Sequence, residues 1–281
     1  MKHILVMLCT LIFYSPLYAA ERIVSTAGYA SEIIALLGKD SLLVGVDTTS
    51  MLPSDIMEHK AKIGYRRQLS AEGILALNPD LILLARDAAP ANAVDQIRGS
   101  GVPLLMLEDQ QTLDGIRSEI SKIGTAIGAE DAAKALIQRI EKDEETLAQA
   151  KKGSGTALVL LNTGSSGVYA LGKNSAGDHL LNILGLKNAV DFDGHKPMTT
   201  EAFIATPADI LLVTAREDAT VAPVISKIAA EDTRYNSVAP TAAAKRDCAF
   251  AVNILSALGF GANTARDATQ IAKTIAPCLH E

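Results

Sequence analysis

Two stretches of this chain repeat one another, and the repeat narrows the possible folds more than any other feature of the sequence. In the first, Glu72 is followed eight residues later by Asp80 and then by the apolar run Leu81 to Leu84; in the second, Glu201 is followed eight residues later by Asp209 and the run Ile210 to Val213. In each, a proline close before the aspartate (Pro79, Pro207) ends a short helical pattern. The apolar runs are too short for helices and read as strands buried on both faces, as parallel sheets require. Two related α/β units are therefore expected.

What lies between the repeats differs in kind. From about Leu113 to Lys152 there is no strand signal, and Ile116, Ile120, Ile123, Ile127, Ala133, Leu136, Ile137, Ile140 and Leu147 recur at helical spacing among charges. Gly124 and Gly128 mark a break, after which Ala129 to Ala150 reads as one helix of about six turns. It is either a surface helix of one large domain or a connector between two lobes. Strand patterning resumes directly after Gly153-Ser154-Gly155, which favours the connector. The expected architecture is thus α/β, with two Rossmann-like lobes of mainly parallel sheet joined by one long backbone helix. Residues 21–125 form the first lobe, 126–153 the connecting helix and 154–281 the second lobe. Within the lobes, strands are expected at Arg22–Ser25, Leu42–Val46, Val102–Leu107, Ala157–Leu161 and Asp209–Thr214, and helices at Ser31–Gly38 and Ala176–Leu184.

Residues 1–20 have a basic start at Lys2, an apolar run from Ile4 to Leu17 and small residues before Glu21. This is the layout of a secretory signal peptide, cleaved near Ala19 or Ala20, and it is too short for a stable membrane span. Cys9 within it is hydrophobic filler. The whole chain has 26 Lys and Arg against 32 Asp and Glu, so losing Lys2 leaves 25 against 32, a net charge of −7. An acidic chain without basic blocks argues against nucleic acid as a partner. The two remaining cysteines, Cys248 and Cys278, are expected to form a disulfide in an oxidising compartment; the alternative is a pair of buried thiols.

The most reactive combination of side chains precedes the first repeat. Tyr65, Arg66 and Arg67 follow Gly64 on a loop that leads into a short helix and the strand beyond it. A phenolate is a hard, anionic oxygen donor suited to ferric iron, and tyrosine serves as an axial ligand of haem. The metal's charge and a nearby cation would favour the ionised form. Arg67 suits that cation role, or the pairing of a carboxylate bidentately. The competing reading is a tyrosine stacked on the surface beside two solvated arginines. Tyr29, in the loop expected at Thr26–Ala30, is either a second ligand contact or an aromatic cap on the core. Arg216, at the carboxyl end of a predicted strand, is either a cleft group or an exposed surface arginine. The glycine-rich stretch Asn162 to Gly167 lacks the spacing of a phosphate-binding loop and reads as a turn. The five histidines (His3, His59, His179, His195, His280) are scattered and no G-x-S-x-G elbow is present, so enzymatic signatures are scarce.

At Gly64-Tyr65-Arg66-Arg67-Gln68-Leu69-Ser70-Ala71-Glu72-Gly73 the sequence resembles the periplasmic haem-binding proteins of bacterial ABC importers, within the helical-backbone (class III) substrate-binding proteins. The likeness extends to Arg22-Ile23-Val24, Ser31-Glu32-Ile33-Ile34, Val44-Gly45-Val46-Asp47-Thr48-Thr49-Ser50 and Leu258-Gly259-Phe260-Gly261. It implies a monomeric periplasmic carrier with no catalysis. Haem, its transported ligand, would lie in the cleft between the lobes with Tyr65 as axial iron ligand and Arg67 in the family's basic position. Arg66, Tyr29 and Arg216 are candidates for further contacts, with Tyr29 standing where the family usually has a small residue. The partners implied are an inner-membrane ABC permease and its ATPase. Glu72 and Glu201 match the one surface glutamate per lobe that such permeases grip with arginines. Some relatives place a histidine in the loop corresponding to Asn162 to Gly167; this chain has none there. A ferric siderophore or cobalamin receptor on the same fold is the alternative, and a secreted cleft enzyme the reading from another class.

Overall fold

Alternating strands and helices of the first lobe come from a sequence that changes period from two to about 3.6 every few residues. The structure, a computed structural model, describes residues 20–108, 111–151, 153–162, 168–215, 223–229, 238 and 240–280. Residues 1–19 of the expected signal segment, the stretch 163–167 and Arg216 lie outside the described residues. In chain order the first lobe comprises β1 (Ile23–Ser25), α1 (Gly28–Leu36), β2 (Leu43–Val46), α2 (Ser54–Met57), β3 (Ala61–Lys62), α3 (Ala71–Leu75), β4 (Leu81–Ala85), α4 (Ala91–Gly99) and β5 (Leu104–Leu107). The strands form one parallel sheet in the order β3-β2-β1-β4-β5.

Side chains along the central strands alternate between two cores. Ile23, Leu81, Leu83 and Ala85 join the main cluster with α1, while Val24, Ile82 and Leu84 join a second cluster with Ile74 of α3 and Val94 and Ile97 of α4. Each fully buried Leu or Ile of this kind contributes about 1.5–3 kcal/mol, and a one-residue slip in register would exchange every partner.

Two helices follow, α5 (Leu113–Ala126) and α6 (Glu130–Ala150). Gly128 turns the chain between them with φ +63°. A Cβ on Gly124 would lie 2.5 Å from that of Ala133, so the two helices meet where only glycine fits. Ala133, Leu136, Ile140 and Leu147 of α6 are buried, and the main core passes through them without interruption into the second lobe.

That lobe comprises β6 (Thr156–Asn162), β7 (Val168–Leu171), α7 (Ala176–Leu184), β8 (Lys187–Asn188), β9 (His195–Pro197), α8 (Thr200–Ala205), β10 (Ile210–Ala215), β11 (Ile225–Lys227), α9 (Ala242–Lys245), β12 (Ala249–Asn253), α10 (Ile254–Leu258) and α11 (Thr264–Ile275). Among the described residues its sheet runs β11-β12-β10-β6-β7-β9, with β8 beside β6. The strands β12, β10, β6 and β8 pair in parallel, whereas β11 on one side, and β7 followed by β9 on the other, extend the sheet antiparallel. The edge strands β9 and β11 have no apolar run to announce them: all three residues of β9 are exposed, and so are Ser226 and Lys227 of β11. α7 ends at Gly185 in the left-handed region, φ +76°. A disulfide joins Cys248 to Cys278, with Cα atoms 5.8 Å apart, and ties the end of the chain to the start of β12.

The aspartates of the repeat have matching tasks. Asp80 accepts hydrogen bonds from the backbone N–H groups of Glu21 (2.8 Å) and Arg22 (2.9 Å) at the start of β1. Asp209 accepts from the N–H (2.9 Å) and hydroxyl (2.9 Å) of Thr156 at the start of β6. Each carboxylate pins a central strand at its amino end, opposite the edge where open parallel sheets present ligand groups.

Candidate functional site

Four connections leave the carboxyl edge of the first sheet, and hydrogen bonds knit them into one surface. Asp47 after β2 is fully buried and accepts from the hydroxyls of Thr49 (2.8 Å) and Ser50 (3.0 Å). Burial pushes its carboxyl above the usual range, and those hydroxyl bonds pull it back. The Thr49 hydroxyl in turn accepts the N–H of Gly28 at 3.0 Å. A Cβ on Gly28 would lie 2.3 Å from the Thr49 carbonyl oxygen, so the approach requires glycine. Thr48 N–H donates to Gly64 O at 3.0 Å, linking the β2 connection to the tyrosine loop.

This network corrects the expectation for Tyr29. The sequence places it in a loop, because Ala27, Gly28 and Ala30 carry no capping side chain; the structure places it in the first turn of α1, whose Ala27 cap makes no side-chain bond. Thr49, 21 residues away, supplies the acceptor for Gly28 instead. The Tyr29 ring packs against the main core and its hydroxyl oxygen is shielded from solvent.

Tyr65 is oppositely disposed. Gly64 precedes it with φ +90°, the left-handed region that glycine tolerates. The Tyr65 carbonyl accepts the Gln68 N–H at 2.7 Å, closing a tight turn. Leu69 then plugs into the second core cluster. Its N–H donates to Ala89 O at 2.8 Å, and Ala89 N–H donates to Arg66 O at 2.9 Å, so the loop is clamped to the segment after β4. On this anchored turn the tyrosine is 37% exposed, one of few large hydrophobic side chains turned to solvent.

The arginines beside it share one carboxylate. Arg66 Nε lies 2.9 Å from Asp87 Oδ1 and donates to Oδ2 at 3.2 Å. Arg67 donates to Oδ2 through Nε at 2.9 Å and stands 2.8 Å away at Nη2. Asp87 carries no motif and lies 20 residues from Arg67, so nothing in the sequence announces the pairing. Two cations and one anion leave this loop with a net positive charge suited to an anionic ligand.

Glu72 and Glu201 are exposed and sit in the first turns of α3 and α8, on different lobes. The Ser70 hydroxyl accepts the Gly73 N–H at 3.2 Å, and the Thr199 hydroxyl accepts the Ala202 N–H at 3.3 Å, so both helices are capped by a hydroxyl residue two positions before the glutamate. The side chain of Asn162 and the stretch 163–167 lie outside the described residues, as does Arg216.

The two-lobed fold has known counterparts. The periplasmic heme-binding protein RhuT of Roseiflexus sp. RS-1, in apo form, is 30% identical and superposes with a TM-score of 0.80 over 92% of this chain and 99% of its own. An uncharacterized ABC transporter substrate-binding lipoprotein of Bacillus subtilis, YvrC, is 28% identical over 69% of this chain and 63% of its own length. The vitamin B12-binding protein of Pectobacterium atrosepticum is 26% identical over 65% of each. The chain thus spans a little under two thirds of the curated relatives it matches. Residues 23–246 match the periplasmic binding protein family, from the first strand of one lobe well into the second. The chain belongs to the periplasmic binding protein family.

Proposed function

We propose that this protein is an exported, non-enzymatic carrier that binds haem between its lobes in the periplasm and delivers it to an inner-membrane ABC transporter. The observation that carries the reading is the Tyr65 phenol, exposed on a turn that is clamped by its own backbone and flanked by two arginines on Asp87. Tyr65 would supply an anionic oxygen to ferric iron. Arg67, the more exposed of the two arginines at 55% against 19%, would face the propionates, with Arg66 behind it bracing the loop. The enclosed hydroxyl of Tyr29 favours a packing role over ligand contact. Glu72 and Glu201, one capped helix start on each lobe, would dock the permease. The likeness to the heme-binding protein RhuT supports the ligand, and the likeness to the ABC transporter substrate-binding lipoprotein YvrC supports the transport partner.

The similarity to vitamin B12-binding proteins favours a second reading, a cobalamin or siderophore carrier on the same fold. Titration separates the two. Apo protein should give a saturable one-to-one Soret change with hemin, and Tyr65→Phe, which keeps the ring but removes the donor oxygen, should bind more weakly and lose the charge-transfer band of a ferric phenolate. Saturable binding of cyanocobalamin without a hemin response would reverse the assignment, and an unchanged spectrum in Tyr65→Phe would move the iron ligand elsewhere.

A further inference from the structure

Two sequence motifs remain that ligand binding does not explain, Ser31-Glu32-Ile33-Ile34 in the first lobe and Leu258-Gly259-Phe260-Gly261 in the second, and they meet in space. Glu32, on α1, accepts a hydrogen bond from Asn263 Nδ2 at 2.8 Å, 231 residues away in sequence. A Cβ on Gly261 would lie 2.2 Å from Glu32 Oε2, so the carboxyl rests directly on the backbone of the other lobe and would have to move aside for any larger residue there. That backbone is held in an unusual shape: Phe260 has φ +46°, which a bulky residue rarely adopts. Arg139, from α6 between the lobes, donates to Ala262 O at 2.9 Å and Asn263 Oδ1 at 3.1 Å. The contact therefore has one part from each lobe and one from the connecting helix.

The charges around it are mixed. From α11, Asp267 faces Glu32 as a second carboxylate, itself hydrogen-bonded to Ser256 of α10, and Arg266 reaches Asp143 of α6 at 3.5 Å. Arg139 is the cation nearest the contact, and its Nε stands 4.0 Å from Asp143. From α5 the buried acid is Glu119, which is turned to the Glu108 N–H and the Lys122 ammonium. His179 of α7 meets the far side of the Phe260 ring edge-on, with centroids 6.4 Å apart.

We infer that Glu32 is a positioning residue that fastens the two lobes to each other beside α6, and that the fastening loosens when its carboxyl ionises. A neutral carboxyl keeps its acceptor for Asn263 and can donate its own proton. An ionised one is confined in a largely buried site with Asp267 for a neighbour, and separation of the lobes would let water reach it. Burial first, and the Asp267 charge second, raise Glu32 from 4.5 to about 7. The sign follows: the joined lobes keep a proton that separated lobes would release. Joining is therefore strongest below pH 4.5, weakens by about tenfold per unit as the pH rises toward 7, and changes no further above it. The joint belongs to the chain itself and holds whether or not the cargo is haem.

The test uses ligand-free, disulfide-intact protein carrying a donor and acceptor dye at Gln96→Cys on α4 and Ser226→Cys on β11, both exposed. Energy transfer should change between pH 5 and 7 and level off above. Glu32→Gln, which retains the acceptor without the charge, should hold the low-pH value throughout, while Asn263→Ala, which leaves Glu32 in place, should lie toward the high-pH value at every pH. A flat wild-type profile overturns the inference. So does a Glu32→Gln curve that follows the wild type or sits at the high-pH value, or an Asn263→Ala curve that coincides with the wild type. Hemin affinity does not enter these readouts, so failure of the haem assignment and failure of the lobe joint are separable.

Discussion

Asp87 Oδ2 receives Arg67 Nε and Nη2 at 2.9 and 2.8 Å, while Arg66 lies against the same carboxylate, so the cations nearest Tyr65 already have an anionic partner before any ligand arrives. A propionate at Arg67 would exchange one carboxylate for another rather than create a new ion pair. Arg67 is also more than half exposed, where such pairs contribute about 0–1 kcal/mol. Arg67→Ala should therefore weaken hemin binding by less than about tenfold, roughly 1 kcal/mol, and clearly less than Tyr65→Phe. Fluorescence or Soret titration of both variants at low and high salt checks this; equal losses would give Arg67 a larger role than its exposure allows.

Asp209 links acid sensitivity to the second lobe. Its hydrogen bond from the Thr156 N–H, helped by His280 at 3.1 Å, lowers its carboxyl from 3.8 to about 2, against the opposing effect of burial. A depressed acid stabilises the fold above its unfolded value and loses that contribution as the pH falls through the folded one. Asp209→Asn should cost on the order of 1 kcal/mol at pH 7, because nearby water screens the carboxylate. The gap between variant and wild type should close as the pH drops from about 4 to 2, as followed by denaturant unfolding. A gap that is constant with pH would mean that the carboxylate's charge contributes nothing.

Glu72 and Glu201 are exposed, and each follows a hydroxyl cap at a helix start. Replacing both by alanine should leave hemin affinity unchanged and lower transport in vesicles containing the permease, the double variant losing more than either single one. If the acids merely favour their helix starts, each contributes about 0.3–1 kcal/mol to stability and uptake stays normal.

The repeat and the strand-free middle made the two lobes legible in advance, because local apolar period alone determines such segments. The tyrosine loop was legible as well, since glycine, aromatic and basic residues stand side by side in sequence. What could not be read were partners brought together by folding. Asp87 meets its arginines only because the β4 connection lies beside the tyrosine turn. Glu32 and Asn263 are separated by 231 residues. The true start of α1 depends on a threonine from another connection, a long-range bond that overrides the absence of a local cap. The strands β9 and β11 escaped for a different reason: short edge strands with solvent-facing residues have no apolar alternation to reveal them.

Asp80 and Asp209 fasten their central strands at the amino ends, while the tyrosine turn and its neighbours hang from the carboxyl ends. In the first sheet the strand anchor and the tyrosine turn thus occupy opposite edges. Selection, or an engineer, could vary the outward side chains of Tyr65 and Arg67 while Asp47, Ser50 and Leu69, buried beneath them, kept the frame intact.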